Sequence, residues 1–305
     1  MHEVIFLKRK EGYRNYSELT KEEKDIIVAD YFSSKLTVKE LGKKYMLTNR
    51  TMPLILKERG IKSNRKNRYT LNESYFKHCD TERKAYWLGY LYADGFVGDE
   101  HYNNIVFSQK QTDGYVIEQF AKDIEFTGQL RVSQPSAGTF ENGLPQVVIN
   151  FSSPTMARDL KKLNMFPRKS MTMELLPPIA PQLMRHFVRG YFDGDGSIHE
   201  SIRNYYKGRE YYSYHWNIIG TLPFNLKVAS LLPVKSSMRD SHTPEMKYLN
   251  IDSNKKIKEL YHFLYDDATF FLKRKHDIFL KAIRYIDRKL SNEKRDKPDE
   301  GCPAA

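Results

Sequence analysis

The sequence predicts an α+β protein with two pseudo-symmetric αββαββα repeats, preceded by a small all-α segment. The first observation is a repeated motif. WLGYLYADG at Trp87–Gly95 and VRGYFDGDG at Val188–Gly196 both carry Gly third, a small residue seventh, Asp eighth and Gly ninth. Their aspartates, Asp94 and Asp195, lie 101 residues apart, about the length of a small domain. The second observation is that helical and strand-like patterns follow each motif in the same order.

We predict five segments along the 305 residues. They are a helical domain at 1–61, a basic linker at 62–74, a first repeat at 75–176, a second repeat at 177–290 and a disordered tail at 291–305. The linker is polar, basic and without apolar periodicity, and the tail is charged and rich in Pro and Gly. Neither composition offers an apolar face that could be buried.

The first domain is predicted to hold three short helices. Thr20 precedes the first, whose opening turn is acidic, the second starts at Thr37, and the third begins near Thr48 and ends at Gly60. Three short helices with a tight joint at Met46–Leu47 resemble a helix-turn-helix module. A small helical packing unit with no role in DNA binding is the alternative.

The charge of the chain is concentrated near this domain. The net charge is +12, and residues 35–70 hold eleven Lys and Arg against two acidic residues, Glu40 and Glu58. A basic chain rich in Tyr and Phe favours a polyanionic partner, most often nucleic acid, although a generic basic surface is the alternative. The linker could follow phosphates or a minor groove, or simply be solvated. Candidate DNA contacts in this region are Arg50, Arg65, Lys66 and Arg68.

The elements of the repeats follow from apolar periodicity and from the turn residues between them. In the first repeat they are a helix at 81–94, strands around 96–97 and 105–108, a helix at 114–124, strands at 129–133 and 146–152, and a helix at 155–163. The first helix of the second repeat is entered through Pro181, which suits a first helical position. The elements of this repeat are a helix at 182–195, strands at 197–203 and 211–219, a helix at 224–231, strands at 234–239 and 247–251, and helices at 254–266 and about 272–290.

Small residues line one face of each motif helix. Gly89 and Ala93 are spaced i, i+4, as are Gly190 and Gly194. Small residues at that spacing let two helix backbones approach closely, because no bulky side chain separates them. We therefore expect the two motif helices to pack on each other as the interface between the repeats.

Each motif places a carboxylate at the end of its helix. The helix dipole disfavours an anion there by about 0.3–1 kcal/mol. If packing brings Asp94 and Asp195 to about 5 Å, their repulsion is on the order of 3 kcal/mol at an effective dielectric of about 20. A divalent cation would reverse that repulsion, and oxygen ligands favour Mg²⁺ over zinc. The following Gly95 and Gly196 are predicted at C′ positions. Two plain solvated helix ends are the alternative.

Other classes of site and location are disfavoured. The cysteines, Cys79 and Cys302, are isolated, so they form neither a disulfide framework nor a zinc site, and a reducing compartment fits. No apolar stretch reaches the length of a signal peptide core or a membrane span. We expect an intracellular protein, in a bacterial or phage-infected cytoplasm.

The paired motif resembles that of single-chain LAGLIDADG homing endonucleases, over roughly Leu71–Arg288. The resemblance implies a monomer whose two repeats form a DNA-binding β-saddle over the major groove, with the motif helices between them. It implies a site-specific endonuclease that hydrolyses both strands of double-stranded DNA and leaves short 3′ overhangs. Asp94 and Asp195 would hold two or more divalent ions, with Ala93 and Gly194 as further metal-binding positions. The ion would be Mg²⁺, with Mn²⁺ or Ca²⁺ substituting in binding.

Further site residues are implied by the same resemblance. FSQKQTD at Phe107–Asp113 supplies Gln109 as a polar group near the attacking water, and in the second repeat Thr221 takes that place. FPRKS and FLKRKHD supply Lys169 and Lys275 as basic residues near the cleaved phosphate, with Lys273 as an alternative to Lys275.

DNA contacts on the saddle should alternate along its strands, since every second side chain faces the groove. The candidates are His101, Asn103, Arg131 and Ser133 in the first repeat, and His199, Ser201, Arg203, Ser237 and Arg239 in the second. A shift of one residue would reverse these faces. Ordinary solvent-facing polar residues are the alternative.

Three other functions compete with nuclease activity. A transcription regulator built on an inactive nuclease is compatible with a helix-turn-helix, but such a protein is expected to lose the acidic residues that are present here. An RNA maturase is possible on the same fold. An intein is disfavoured because self-splicing needs an N-terminal Cys or Ser and a C-terminal His-Asn. This sequence instead starts Met-His-Glu and ends Cys-Pro-Ala-Ala.

Overall fold

The computed structural model describes residues 12–34, 36–61, 69–99, 103–134, 144–167, 169, 173–205 and 209–295. The chain forms two compact units, Met1–Tyr69 and Thr70–Ala305. Among the described residues, no helix is both long and apolar enough to span a membrane.

The described part of the first unit contains three α-helices, α1 (Lys21–Ser33), α2 (Val38–Lys44) and α3 (Thr51–Glu58). Thr20 and Thr37 cap the first two, and in each case a glutamate three residues later completes a capping box. The turn before α3 includes Met46 with a φ of 54°, and Gly60 follows α3 with a φ of 64°. Apolar side chains from all three helices form its core: Leu19, Ile27, Leu41, Leu47, Met52 and Ile55.

The second unit contains two repeats with the same element order. The first has α4 (Glu82–Asp94), β1 (Phe96–Val97), β2 (Asn104–Lys110), α5 (Tyr115–Asp123), β3 (Arg131–Ser133), β4 (Gln146–Ser152) and α6 (Pro154–Lys162). The second has α7 (Met184–Asp195), β5 (Gly196–Tyr205), β6 (Arg209–Thr221), α8 (Leu222–Leu231), β7 (Ser237–Asp240), β8 (Met246–Ile251) and α9 (Asn254–Tyr265), followed by α10 (Lys273–Arg295). The predicted pair of αββαββα repeats is confirmed.

Both sheets are antiparallel and have the same strand order. The first runs β1-β2-β4-β3 and the second runs β5-β6-β8-β7. Their registers also correspond: Phe96 pairs with Val106 in the first sheet, and Ser197 pairs with Asn217 in the second. Phe96 and Ser197 each lie two residues after a motif aspartate. Positions along the strands of one sheet can therefore be matched to positions in the other.

Helices α4 and α7 form the interface between the repeats, as the small residues predicted. A Cβ on Gly89 would overlap the carbonyl oxygen of Phe187, and a Cβ on Gly190 would overlap that of Tyr86. The backbones therefore touch, so that only glycine fits at either position. Around this contact both repeats bury aromatic rings; Trp216 stacks on Phe192 in the second repeat.

Two predicted boundaries change. The linker reaches only Tyr69, because the Thr70 amide donates to Thr127 Oγ1 and the Asn72 amide to the Ile124 carbonyl, which attaches 70–74 to the first repeat. Helix α10 continues to Arg295, five residues into the predicted tail. Lys, Arg and Glu in that stretch are good helix formers. Residues 296–305 lie outside the described part, as do linker residues 62–68.

The glycines after the motif helices have another role than predicted. Gly95 and Gly196 have φ values of −77° and −97°, so neither adopts the left-handed conformation of a C′ glycine. A Cβ on Gly95 would lie 2.7 Å from the Leu91 carbonyl oxygen, and a Cβ on Gly196 would lie 3.0 Å from the Asn217 carbonyl oxygen. Glycine is needed at both positions for close approach, since each helix continues directly into a strand.

Candidate active site

The packing of α4 on α7 brings Asp94 and Asp195 to one place. Each is the last residue of its helix. A Cβ on Gly194, the neighbour of Asp195, would lie 3.3 Å from Asp94 Oδ2, so the two helix ends are side by side. Asp94 is exposed and Asp195 is half-buried, which leaves both carboxylates accessible to a ligand. The predicted juxtaposition is therefore present.

The surroundings disfavour two negative charges at this point. Burial raises the pKa of Asp195 to about 6, and the Asp94 carboxylate acts in the same direction. Burial also raises the pKa of Asp94, against the hydrogen bond from Gln109 and the charges of Lys275 and Lys169. The exposed face of Asp94 does not remove this effect, because protein atoms surround the rest of the carboxylate. The pair is thus electrostatically costly without a cation.

Two lysines approach the helix ends in the same way in both repeats. Lys169 Nζ donates to the carbonyl oxygens of Ala93 at 3.4 Å and Gly95 at 2.5 Å. Lys275 Nζ donates to the equivalent oxygens of Gly194 at 3.3 Å and Gly196 at 2.6 Å. Lys275 also donates to the carbonyls of Phe192 and Asp193, at 2.6 and 2.8 Å.

The role that these lysines have in the structure is to cap the negative ends of α4 and α7. Lys275 is 3% exposed, and burial lowers its pKa to about 8, while burial also lowers the pKa of Lys169. Their charges offset part of the repulsion between the aspartates. Since the ammonium groups bond to carbonyls, the carboxylate oxygens are left for other partners. The position of Lys275 supports its choice over Lys273, which lies over the ring of Tyr115.

The polar residue beside the aspartate differs between the repeats. Gln109 Nε2 donates to Asp94 Oδ2 at 2.5 Å, which places this predicted residue beside the aspartate of the first repeat. In the second repeat the strand register places Gly220, not Thr221, at the position of Gln109. The Thr221 hydroxyl instead donates to the carbonyl of Met173 and caps α8. The prediction for Thr221 was wrong by one residue, because strand register cannot be counted from sequence alone.

Asp193 is a buried carboxylate that the sequence analysis missed. Its Oδ2 accepts hydrogen bonds from the Tyr86 hydroxyl at 2.9 Å and from the Leu272 amide at 2.8 Å. Burial raises its pKa to about 6, against the opposing charge of Lys275. The signal was present in the motif, where VRGYFDGDG carries an extra Asp at the position that Tyr92 occupies in the first repeat.

The second sheet presents the predicted residues on its outer face. Ile198, Trp216 and Ile251 form one buried row across the sheet, so their neighbours along each strand face the other way. By register this outer face includes His199, Ser201, Ser237 and Arg239. The backbone of Arg203 is described but its side chain is not.

Several of these outer residues bond to one another. Asp252 accepts from Arg239 at 2.6 Å and from His215 Nδ1 at 2.9 Å. His215 Nε2 lies 2.9 Å from Ser201 Oγ, and its ring stacks on His199 at 5.1 Å. The outer face therefore carries a connected polar network rather than isolated solvated side chains.

In the first sheet, two of the predicted residues lie on the outer face and one lies outside the strand. Arg131 and Ser133 are exposed and, by register, share the face opposite the buried Phe107. Asn103 lies in the turn before β2 with a φ of 46°, so it has no place in the alternation of the strand. The prediction failed because it extended the strand alternation to a residue that precedes both the predicted strand and β2.

Four remaining candidates concern the basic region. Arg50 is exposed immediately before α3. Arg65, Lys66 and Arg68, like His101 of the first repeat, lie outside the described residues.

The donor set at the helix ends suits a hard cation with incomplete protein ligation. The described residues contain no cluster of three or more His, Cys, Asp or Glu side chains that could hold a metal. Two carboxylates with accessible oxygens nevertheless match the preference of Mg²⁺, which usually keeps several waters and binds one or two carboxylates plus substrate phosphate. The Ala93 and Gly194 carbonyls are adjacent oxygen donors, each already accepting a long hydrogen bond from lysine.

Comparison with known proteins gives similarity at the level of structure only. No protein-family model matches the sequence, and no curated protein matches it. Solved structures of LAGLIDADG endonucleases do match, and about two thirds or more of this chain is covered in each case.

Three of these structures illustrate the match. The I-LtrWI LAGLIDADG homing endonuclease bound to target DNA is 12% identical, with a TM-score of 0.48 over 71% of this chain and 92% of that chain. The LAGLIDADG meganuclease I-AabMI bound to uncleaved DNA is 9% identical, with a TM-score of 0.47 over 67% and 91%. I-SmaMI bound to an uncleaved DNA target in the presence of calcium ions is 10% identical, with a TM-score of 0.46 over 70% and 94%. At such values, the chemistry has to be argued from this chain's own residues.

Proposed function

We propose that this chain is a site-specific double-strand DNA endonuclease of the LAGLIDADG homing type, acting as a monomer. It would hydrolyse one phosphodiester on each strand of a long target and leave short 3′ overhangs. One observation carries the proposal: Asp94 and Asp195 end two helices whose backbones touch, so the two repeats contribute one carboxylate each to a shared site. If Asp94 and Asp195 were merely solvated helix ends, the close packing of α4 on α7 at Gly89 and Gly190 would not be needed to bring them together.

The partner is double-stranded DNA. The net charge of +12 gives a polyanion a favourable long-range attraction. Two four-stranded sheets, one following each motif helix along the chain, present polar outer faces that include Arg131 and Arg239. A β-ribbon fits the major groove, where each base pair has a distinct pattern of donors and acceptors. A site made by one chain with two related halves matches the two strands of a duplex.

Asp94 and Asp195 would hold a divalent cation, with the Ala93 and Gly194 carbonyls as further oxygen donors. When bound, such an ion stabilises the charge on the attacking and leaving oxygens of a phosphodiester and lowers the pKa of a water molecule. The chain's own groups prepare that site. Lys169 and Lys275 hold the ends of both helices in place, and Gln109 orients the Asp94 carboxylate.

The test begins with a cleavage selection. The purified chain is incubated in Mg²⁺ with a library of randomised or genomic duplexes, and cut ends are sequenced. We expect one long preferred site with short 3′ overhangs. Asp94→Asn and Asp195→Asn should each lower cutting by at least about a hundredfold while DNA affinity stays within a few-fold, since the amide keeps the shape but not the charge.

The matched control is Asp80→Asn, which removes an exposed carboxylate just before α4 that bonds to Lys84. It should cut like the wild type. Tight binding of a specific duplex with no cutting in Mg²⁺ or Mn²⁺ would overturn the nuclease assignment and favour a regulator. Cutting that survives in the Asp94→Asn, Asp195→Asn double variant would show that the chemistry lies elsewhere.

A further inference from the structure

The hairpin formed by the first two strands of each repeat differs in length between the two halves. In the first repeat it closes just beyond β1. The Gly98 amide donates to the Asn104 carbonyl at 2.7 Å, and the Asn103 amide donates to the Asp99 carbonyl at 2.9 Å. The chain therefore reverses direction between Asp99 and Asn103, and β2 starts directly after this turn.

The second hairpin continues past the corresponding level. By register, Gly98 and Asn104 correspond to His199 and His215, which pair with each other. Beyond these two histidines, β5 and β6 form six further residue pairs. At about 3.4 Å per residue, the second hairpin is longer than the first by on the order of 20 Å. We call the additional residues the arm; they are 200–205 of β5 and 209–214 of β6.

Side chains from two helices bond to the free backbone edge of the arm. Strand β6 pairs with β8 only from Trp216 onward. Before that point, Asn254 at the start of α9 accepts from the Tyr214 amide at 3.0 Å and donates to the Tyr212 carbonyl at 2.9 Å. The Tyr285 hydroxyl of α10 accepts from the Tyr212 amide at 3.2 Å. These side chains satisfy backbone groups that a neighbouring strand would otherwise pair, so the arm extends the sheet beyond the end of β8.

Helix α10 also covers the inner face of the arm. Lys281 Nζ donates to Glu200 Oε1 at 2.8 Å, and the Tyr214 hydroxyl donates to Oε2 of the same residue at 2.6 Å. The ring of Tyr285 lies against that of Tyr212, with centroids 5.2 Å apart. Among the described residues of the first repeat, no α-helix lies between α6 and α7 that could do the same. The support from α10 therefore belongs to the second half.

The arm turns its carboxylates away from its outer face. Glu200 and Glu210, the acidic residues of the β5–β6 hairpin, alternate with the outward residues and so share the inner side. Glu200 is paired with Lys281 there. On the outer side, Ser201 extends the polar network of His199 and His215. Hydroxyl and imidazole groups can donate to or accept from base edges, whereas an unpaired carboxylate would be repelled by phosphates.

We infer that the arm contacts DNA on one side of the cleavage site only, so that the second repeat reads a longer half-site than the first. This inference rests on the proposed endonuclease function. A two-stranded ribbon fits the major groove, and base pairs are about 3.4 Å apart, so the arm adds up to about six base pairs. Asn254, Lys281 and Tyr285 are then positioning residues, which hold the arm from its inner face and edge without touching DNA.

The experiment maps both ends of the target with the full chain. Hydroxyl-radical protection is measured in Ca²⁺ on a duplex selected by binding, and the affinity is measured for every single base-pair change in that duplex. We expect protection to extend about six base pairs further from the midpoint of the two cuts on one side than on the other. Base changes in this extra segment should weaken binding by about fivefold or more.

Two variants assign that extra segment to the arm. In a shortened chain, residues 200–214 are replaced by the five residues 99–103, which copies the first hairpin. It should lose protection and base discrimination at the long end and keep the footprint at the other. The double variant Lys281→Met, Tyr285→Phe keeps the arm and its aromatic packing but removes two contacts behind it, and it serves should the shortened chain not fold. It should lower discrimination at the long end by about threefold or more, and elsewhere by less than about twofold.

The matched control is Lys258→Met, which removes an ion pair with Asp287 that joins α9 to α10 rather than α10 to the arm. It should leave both ends unchanged. Equal loss of discrimination at both ends in the double variant would indicate a merely structural role and overturn the inference. Equal protection on both sides in the wild type, or an unchanged footprint in the shortened chain, would overturn it as well.

Failure of the proposed function gives a different result. A duplex that is bound specifically but not cut in Mg²⁺ would overturn the nuclease assignment alone, because loss of protection at one end in the shortened chain still tests the arm. Absence of any specific duplex would overturn both.

Discussion

Glu82 in the first turn of α4 forms an ion pair with Arg189 of α7, whose side chain is fully buried. Arg189 also donates to the carbonyl of Leu264 at 2.7 Å, and Glu82 accepts from the Thr269 hydroxyl. The pair therefore joins the start of one motif helix to the other repeat. At the far end of the same helices lie the two site aspartates.

Removing Glu82 should destabilise the second unit. Glu82→Ala leaves the Arg189 guanidinium buried and without its carboxylate, which costs about 3–5 kcal/mol in buried pairs. The free energy of unfolding is measured in urea. The matched control is Asp267→Asn, which removes the charge that Arg185 contacts at 2.9 Å at the surface, where a pair contributes about 1 kcal/mol or less. Asparagine also tolerates the φ of 63° at this position. Equal losses in the two variants would mean that burial adds nothing to this ion pair.

The packing between the motif helices should be intolerant of a single methyl group. Gly190→Ala places a Cβ against the carbonyl oxygen of Tyr86, which is backbone and cannot rotate away. We expect a decrease in stability of about 1–3 kcal/mol or more and a large decrease in cutting, since the helix ends move apart. Gly42→Ala on α2 is the control, because its Cβ meets nothing closer than 3.8 Å. Full activity of Gly190→Ala would contradict the close packing.

Asp193 should make stability depend on pH. Burial raises its pKa in the folded chain to about 6, above the ordinary 3.8, so between these values the folded state binds more protons than the unfolded state. Stability relative to Asp193→Asn is therefore greatest below about pH 4, falls as the pH rises to about 6, and is constant above. The total decrease in the free energy of unfolding relative to Asp193→Asn is about 3 kcal/mol, since each pKa unit corresponds to about 1.36 kcal/mol.

Urea unfolding of the wild type and of Asp193→Asn from pH 4 to 7 measures this difference. The control, Asp240→Asn, removes an exposed carboxylate whose pKa is lowered by its hydrogen bond from Lys247. Its difference from the wild type should stay constant over the same range. If the difference in free energy of unfolding between the wild type and Asp193→Asn stayed constant from pH 4 to 7, burial would not raise the pKa of Asp193.

Deleting residues 1–69 should weaken DNA binding without stopping the chemistry. The first unit has its own core, and the second begins at Thr70 with its own backbone bonds. If both units bind DNA, removing the tethered unit lowers affinity by about a hundredfold or more. The slope of log affinity against log salt should become shallower by about 0.9 for each phosphate that the shortened chain no longer neutralises. An unchanged salt dependence would assign the first unit a role other than DNA binding.

Most elements could be predicted because their signals are local. Helix α4 ends at Asp94 and strand β4 spans Gln146–Ser152 as expected, since apolar spacing of two or of three to four residues marks which face is buried. Errors appeared where a signal was absent. Asn103 was placed on a strand that starts one residue later, and the glycines after the motifs were assigned a left-handed conformation that the chain does not use.

The sequence by itself determined that there are two related halves, that each ends a helix with an aspartate, and that small residues line those helices. Only the tertiary structure decided that Gln109 bonds to Asp94, that Gly220 stands opposite in the other half, and that Lys275 caps a helix rather than facing solvent. The reason is physical. Periodicity acts over a few residues, whereas strand register and the meeting of residues a hundred positions apart are set by how whole faces pack.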